Sequence, residues 1–172
     1  FSSFNSLEQQ NARHQMRQCA NAIRGQLRYI DQVAKDWATW DDMYRFVATG
    51  DAAFRDSNFT AQSFEATKLD FMVLFDARAR VVWGGGFDRE TMESIQLPAV
   101  DLKNVSETAA LVRHASESDG AMGIFRTSLG PMLVASRPVI SSEGEGPVRG
   151  AMFMGRMLDE ELVDVLQQDM GI

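Results

Sequence analysis

Leu69-Asp-Phe-Met-Val-Leu-Phe-Asp76, then Ala77-Arg-Ala-Arg80, then Val81-Val-Trp83 and Gly84-Gly-Gly86 are the residues whose reading decides the fold. Apolar and aromatic side chains crowd the first run, and a short polar turn separates it from a second run of β-branched and aromatic residues. That succession reads as strand, turn, strand, closed by the glycines, and so as an antiparallel hairpin. Three more strand-like runs lie downstream at Ala121 to Ser128, Met132 to Ile140 and Val148 to Met157, with turns at Gly130-Pro131 and from Ser141 to Pro147. Between them, Val105, Ala109 and Val112, with Ser106 as a cap, indicate a helix on one face of the sheet. A final helical spacing runs through Leu158, Leu162, Val165 and Leu166, with Asp159 placed to cap it and Gly171 to stop it.

Upstream, Met16, Ala20, Ile23, Leu27, Ile30, Ala34 and Trp37 recur at alternating spacings of four and three, a heptad seam that Phe4 and Leu7 extend. With no proline before the middle of the chain, one helix from Phe4 to Phe46 is expected, roughly 60 Å long at 1.5 Å per residue. Its second half can pack on its own domain. Its first half overhangs, and an overhanging apolar seam calls for a partner, most simply the same helix of a second copy in a parallel homodimer. Thr49, Gly50 and Asp51 then break the pattern, and Phe54, Phe59 and Phe64 should wrap back over the body.

Helices at the ends and strands clustered inside make an α+β layer: a long N-terminal helix, a PAS-like antiparallel sheet of about five strands, and flanking helices. The expected division is residues 1–46 for the long helix, 47–157 for the body and 158–172 for an exit helix, all within one domain of 172 residues.

Composition removes several function classes. Lys and Arg total 17 against 24 Asp and Glu, a formal charge of −7 with no basic run, so nucleic acid and anionic membrane surfaces are poor partners. One cysteine, Cys19, closes no intrachain disulfide, and with only His14 and His114 no nitrogen and sulfur metal cage can be assembled. No cofactor or metal is expected. No apolar run approaches the roughly 20 residues of a membrane-spanning helix, and a first residue Phe1 instead of Met suggests a piece of something longer.

The densest chemistry is Trp37-Ala-Thr-Trp-Asp-Asp-Met-Tyr-Arg-Phe46. On a continuous helix Trp37 lies beside Trp40, Asp41 and Tyr44, so aromatic walls, a carboxylate and a phenol converge as in a small-molecule pocket. Such a pocket favours a cationic guest. The alternative is a core plug in which Asp41 pairs with a structural arginine, Arg126, Arg137 or Arg156, each set in a strand among apolar neighbours. An arginine facing the pocket would instead favour an anion. The candidate ligand-binding set is Trp37, Trp40, Asp41 and Tyr44 from the helix, with Phe71, Arg126 and Arg137 from the sheet. Enzyme signatures are weak: no G-x-S-x-G occurs, Gly84-Gly-Gly86 lacks the spacing and lysine of a phosphate loop, and Asp41 and Asp42 point about 100° apart on a helix.

Trp37-x-x-Trp-Asp-Asp-x-Tyr-x-Phe46 followed by Phe54 and Asn58 resembles the CHASE family, class four, the extracellular sensing domains of cyclases and histidine kinases. Leu69 to Asp76 with Arg80-Val-Val-Trp83 is similar to that family's central strands. Ser136-Arg-Pro-Val-Ile140, Gly146-Pro-Val-Arg-Gly150 and Gly155-Arg-Met-Leu-Asp159 are similar to its closing ones. The resemblance covers the chain from about Asp31 onward. It implies a PAS-like domain of the single Cache kind on the periplasmic or extracellular face of the membrane, between two membrane spans of a longer protein. The implied output is a cytoplasmic diguanylate cyclase, phosphodiesterase or histidine kinase. The expected function is non-catalytic sensing of a small molecule whose binding shifts the terminal helices. The alternative is a module for dimerisation or for contact with a protein partner.

Overall fold

The computed structural model describes residues 2–95 and 112–171, with side chains from residue 8 onward. The expected Val105 to Ala109 helix lies outside the described residues.

Strands β1 (Phe71–Asp76), β2 (Val81–Phe87), β3 (Ser94–Ile95), β4 (Ala121–Thr127), β5 (Gly130–Val139) and β6 (Gly150–Met157) form one antiparallel sheet in the order β3-β2-β1-β6-β5-β4. The first and last strands meet at its centre, with Val73 opposite Phe153 and Leu74 opposite Met152. The sheet has six strands where the sequence indicates about five, the addition being the two-residue β3. Gly84, Gly85 and Gly86 do not close the hairpin but continue β2, because β1 approaches there too closely for a side chain: a Cβ on Gly86 would overlap the carbonyl oxygen of Asp70.

Alternation along the central strands divides the core in two. Met72, Leu74, Leu133, Ala135, Met152 and Met154 face one way, and Phe71, Val73, Met132, Val134, Ala151 and Phe153 face the other. On the first side lies helix α1 (Ser2–Ala38), crossing β5 and β6. Its buried residues Leu27, Ile30, Ala34 and Ala38 follow the heptad seam as far as Ala34. Burial of a Leu or Ile here stabilises the fold by about 2 kcal/mol. Residues 8–17 are exposed, and Met16 keeps 71% of its surface in contact with solvent.

The expected helix to Phe46 is interrupted. Trp40 is extended, at φ −134° and ψ 126°, and caps a separate helix α2 (Asp41–Thr49). Asp41 and Asp42 occupy the first turn of α2, where the helix dipole favours negative charge, and Gly50, at φ 63°, ends it. The end of α1 is held by the Ile140 amide, which donates to the Ala38 carbonyl at 3.0 Å. Helices α3 (Ala52–Asn58), capped by Asp51, and α4 (Ala61–Thr67), capped by Thr60, then bring Phe54, Phe59 and Phe64 over the sheet. Helix α5 (Glu160–Met170) begins and ends as its sequence indicates: the Asp159 carboxylate accepts from the Leu162 amide at 2.9 Å, and Gly171 adopts φ 71°. Leu162 and Leu166 of α5 share a cluster with Leu27 of α1. Among the described residues, no helix is long and apolar enough to cross a membrane.

The strand crossing at Gly150 supplies a test. A Cβ there would overlap the Phe75 carbonyl oxygen, a backbone atom that cannot turn aside, whereas a Cβ on Gly123 meets nothing within 4 Å. Urea unfolding is expected to show Gly150→Ala losing about 3 kcal/mol or failing to fold, and Gly123→Ala within about 1 kcal/mol of the parent.

Candidate functional site

The break at Trp40 changes what the aromatic motif does. Trp37 and Trp40 meet edge to face at 6.4 Å, Phe59 stacks on Trp37 at 6.4 Å, Phe54 packs on Trp40 at 5.2 Å, and Trp83 closes on Phe59 at 4.5 Å. Beside Trp37 only about 10 Å³ of space is left, bounded by Phe64, Leu69 and Met72. That volume is close to the minimum for a single water and far below that of a small-molecule site.

Asp41 pairs with none of the expected arginines. Its two oxygens accept from the Ser142 amide at 2.8 Å and the Ser142 hydroxyl at 2.6 Å, and these bonds hold its carboxyl below the usual range. The Tyr44 hydroxyl donates to the Pro147 carbonyl at 2.9 Å, while the Arg149 guanidinium covers the Tyr44 ring at 3.8 Å and donates to the Tyr44 carbonyl at 3.0 Å. The start of α2 is thus buttoned to the β5–β6 connection.

The sheet members of the candidate set lie elsewhere. Phe71 is fully buried on the opposite face from Trp37, because odd-numbered residues of β1 point away from α1. Arg126 is exposed on the edge strand β4. Arg137 is committed to Asp31 of α1, its Nε and Nη2 reaching the two carboxylate oxygens at 2.6 and 2.5 Å, and this pairing raises its pKa further. Arg156 approaches Gln26 at 3.5 Å and Glu161 at 3.8 Å. The seven candidate residues therefore do not converge on one cavity.

Two sets of residues that sequence reasoning did not assign stand out at the margins of the cluster around Phe71 and Val112. Arg89, 9% exposed, bridges Asp70 at 2.8 Å, Asp159 at 3.2 Å and Glu161 at 2.6 Å, which fastens the start of α5 to the sheet. Burial alone would lower the Arg89 pKa, but the bonds and charges of Asp70 and Glu161 outweigh it and raise the value. A cavity of about 450 Å³ opens beside this cluster, with Phe71, Leu129 and Met157 on its walls. The second set surrounds His114, whose Nε2 lies 2.9 Å from the hydroxyl of fully buried Ser136. A cavity of about 430 Å³ is lined there by Arg78, Val112, Arg113, His114 and Val148. Burial pushes the imidazole pKa below 6.5, Asp119 pulls it back up, and Arg137 adds to the lowering. Among the described residues, no group of three or more His, Cys, Asp or Glu side chains could hold a metal ion.

The model of the CHASE4 domain matches residues 22–172. The chain belongs to the CHASE4 family. This CHASE4 domain is 27% identical over 150 residues to the methanogenesis regulatory histidine kinase FilI of Methanothrix harundinacea (strain 6Ac), covering 87% of this chain and 17% of that protein. In fold it is similar to the extracellular domain of vpHK1S-Z8, a protein assigned as a histidine kinase, with a TM-score of 0.60 and 12% identity over 92% of this chain and 60% of the other. It is equally similar to a domain of a Vibrio parahaemolyticus protein assigned to the sensory box/GGDEF family, with a TM-score of 0.61 and 13% identity over 92% of this chain and 63% of the other. These neighbours share the PAS and Cache-like architecture. As a member of the CHASE4 family, the chain is a sensor domain.

Two outcomes test this geometry. Asp31→Ala and Arg137→Ala should each cost about 1–3 kcal/mol, and the double variant about 1 kcal/mol less than their sum, measured as a double-mutant cycle in urea. For His114, the unfolded chain binds its proton at the ordinary pKa near 6.5 and the folded chain only at lower pH, so stability is present above 6.5 and is lost as pH falls from there through the folded value. The parent should therefore lose more stability between about pH 8 and about pH 5.5 than His114→Gln does.

Proposed function

We propose that residues 1–172 form the extracytoplasmic sensing unit of a membrane-bound histidine kinase or GGDEF-type protein, and that a small molecule held on the sheet face away from α1 is signalled through α1 and α5. The supporting observation is that both terminal helices share one apolar cluster on one side of the sheet, Leu27 with Leu162 and Leu166, while the cavity at His114 is walled by Val112 of the cluster on the other side and the cavity beside Arg89 touches the start of α5 itself. A ligand on the far face touches the same sheet on which both helices rest. It shifts them only if it binds one arrangement more tightly than the other. In this reading the aromatic cluster around Trp37 is a latch that fixes the end of α1.

A second reading is supported by the exposure of residues 8–17 and of Met16, whose seam position leaves apolar surface uncovered along α1. A second copy aligned through α1 covers it, giving a homodimer whose two helices move together. Sedimentation of Met16→Glu should then show a weaker dimer than the parent.

The sensing reading is tested by thermal unfolding against amino acids, organic acids, amines and nucleosides, where a ligand at about 100 times its Kd adds about 2.7 kcal/mol. For a compound that binds, spin labels at exposed Arg28 and Asp164, in a Cys19→Ser background, should report a changed distance between α1 and α5. Binding with an unchanged distance would sink the transmission step.

A further inference from the structure

We infer that the cavity walled by Arg78, Arg113 and His114 is an organic-acid site, taking a small molecule whose carboxylate meets the two guanidiniums and whose carbon body lies on Val112 and Val148. The inference rests on the sensing reading above and names its site and ligand class.

Charge is the first argument. In a chain of net charge −7, no carboxylate lines this cavity among the described residues, whereas the cavity beside Arg89 is walled by six acidic residues and one arginine. The nearby carboxylates are already engaged. Asp76 accepts from the side chain of Arg80 at 2.7 Å and from the Arg78 and Arg80 amides at 2.8 and 2.9 Å. Asp119 accepts from the Ala115 and Ser116 amides at 2.7 and 3.0 Å and from the Ser116 hydroxyl at 2.9 Å.

The second argument is the state of the arginines. Arg45, Arg55, Arg80, Arg89, Arg137 and Arg156 each have a carboxylate partner. Among the described residues the exposed guanidiniums of Arg78 and Arg113, like those of Arg13, Arg17, Arg28 and Arg126, have no hydrogen-bond or ion-pair partner, and of these arginines Arg78 and Arg113 line the same cavity. A guanidinium fork pairs with the two oxygens of a carboxylate, and this cavity has two such side chains on its wall.

Shape is the third. Val112 is 7% exposed, and its side chain belongs to the far-face core, so the wall beside the arginines is apolar and firmly packed. The bond to Ser136 fixes the His114 ring at the rim. A volume of about 430 Å³ suits a small organic molecule.

Isothermal titration and thermal unfolding of this chain should use succinate, citrate and benzoate beside succinamide and benzamide, with inorganic phosphate, putrescine, glucose and adenosine as other classes. At least one acid is expected to bind, its amide not. Arg78→Gln and Arg113→Gln should each weaken that acid about tenfold, while Arg126→Gln, also an exposed arginine but outside the cavity, leaves it unchanged. Circular dichroism checks that the variants fold, as substitution of exposed side chains permits. Acid binding indifferent to both cavity substitutions, tight binding of phosphate alone, or binding confined to the neutral or cationic compounds would overturn the organic-acid site and leave the sensing reading standing. Silence from every class would overturn both.

Discussion

The central strands β1, β6 and β5 are buried on both faces, and the rest of the molecule answers that constraint. A sheet whose middle is apolar on either side needs two covers. One is helical: α1 lies across β5 and β6, and α2, α3 and α4 extend the cover toward β1 and β2 with a block of aromatic rings. The other cluster, around Phe71, Val73 and Phe153, carries the two larger cavities at its margins. Because each strand contributes alternate residues to the two layers, nothing can press on one layer without being felt in the other.

Polar contacts decide how the helical cover is seated. Packing of Leu27, Ile30 and Ala34 fixes which side of α1 faces the sheet, but apolar contact alone tolerates sliding by a turn. The Asp31 and Arg137 pair, the Ala38 carbonyl held by Ile140, and Asp41 held by Ser142 are directional bonds spaced along one helix and its continuation. Together they set register as well as stability. Arg89 does the same for α5, drawing Asp70, Asp159 and Glu161 to one guanidinium.

The features legible in the sequence were those whose cause is local. The hairpin, the later strands and the caps of α5 at Asp159 and Gly171 each follow from a few neighbouring residues. The heptad spacing was legible too, and its second half does face the sheet. The interruption at Trp40 was not, since neither proline nor glycine marks it. It arises from distant contacts, Phe54 on the Trp40 ring and Ser142 on Asp41. For the same reason the motif from Trp37 to Phe46 looked like a pocket: its residues share a face only on an unbroken helix. Arg137 was recognised as needing a partner, but the partner lies 106 residues away on α1. Arg89, Arg78 and Arg113 carry no spacing signal at all, and only the folded sheet brings them to their neighbours.

The confinement of the apolar contacts and of the Asp31 and Arg137 pair to the second half of α1 also gives the helix a mechanical character. Everything from Leu27 to Ala38 is held by the sheet and α5, whereas the stretch back to Ser2 runs about 38 Å along the axis at 1.5 Å per residue. A rigid rod pinned near one end is a lever with unequal arms. A tilt of about 2° about Leu27, far smaller than a change of side-chain rotamer, carries the distant tip about 1.3 Å. Rearrangements in the sheet too slight to alter its pairing thus become displacements comparable to a covalent bond length at the far end of the helix.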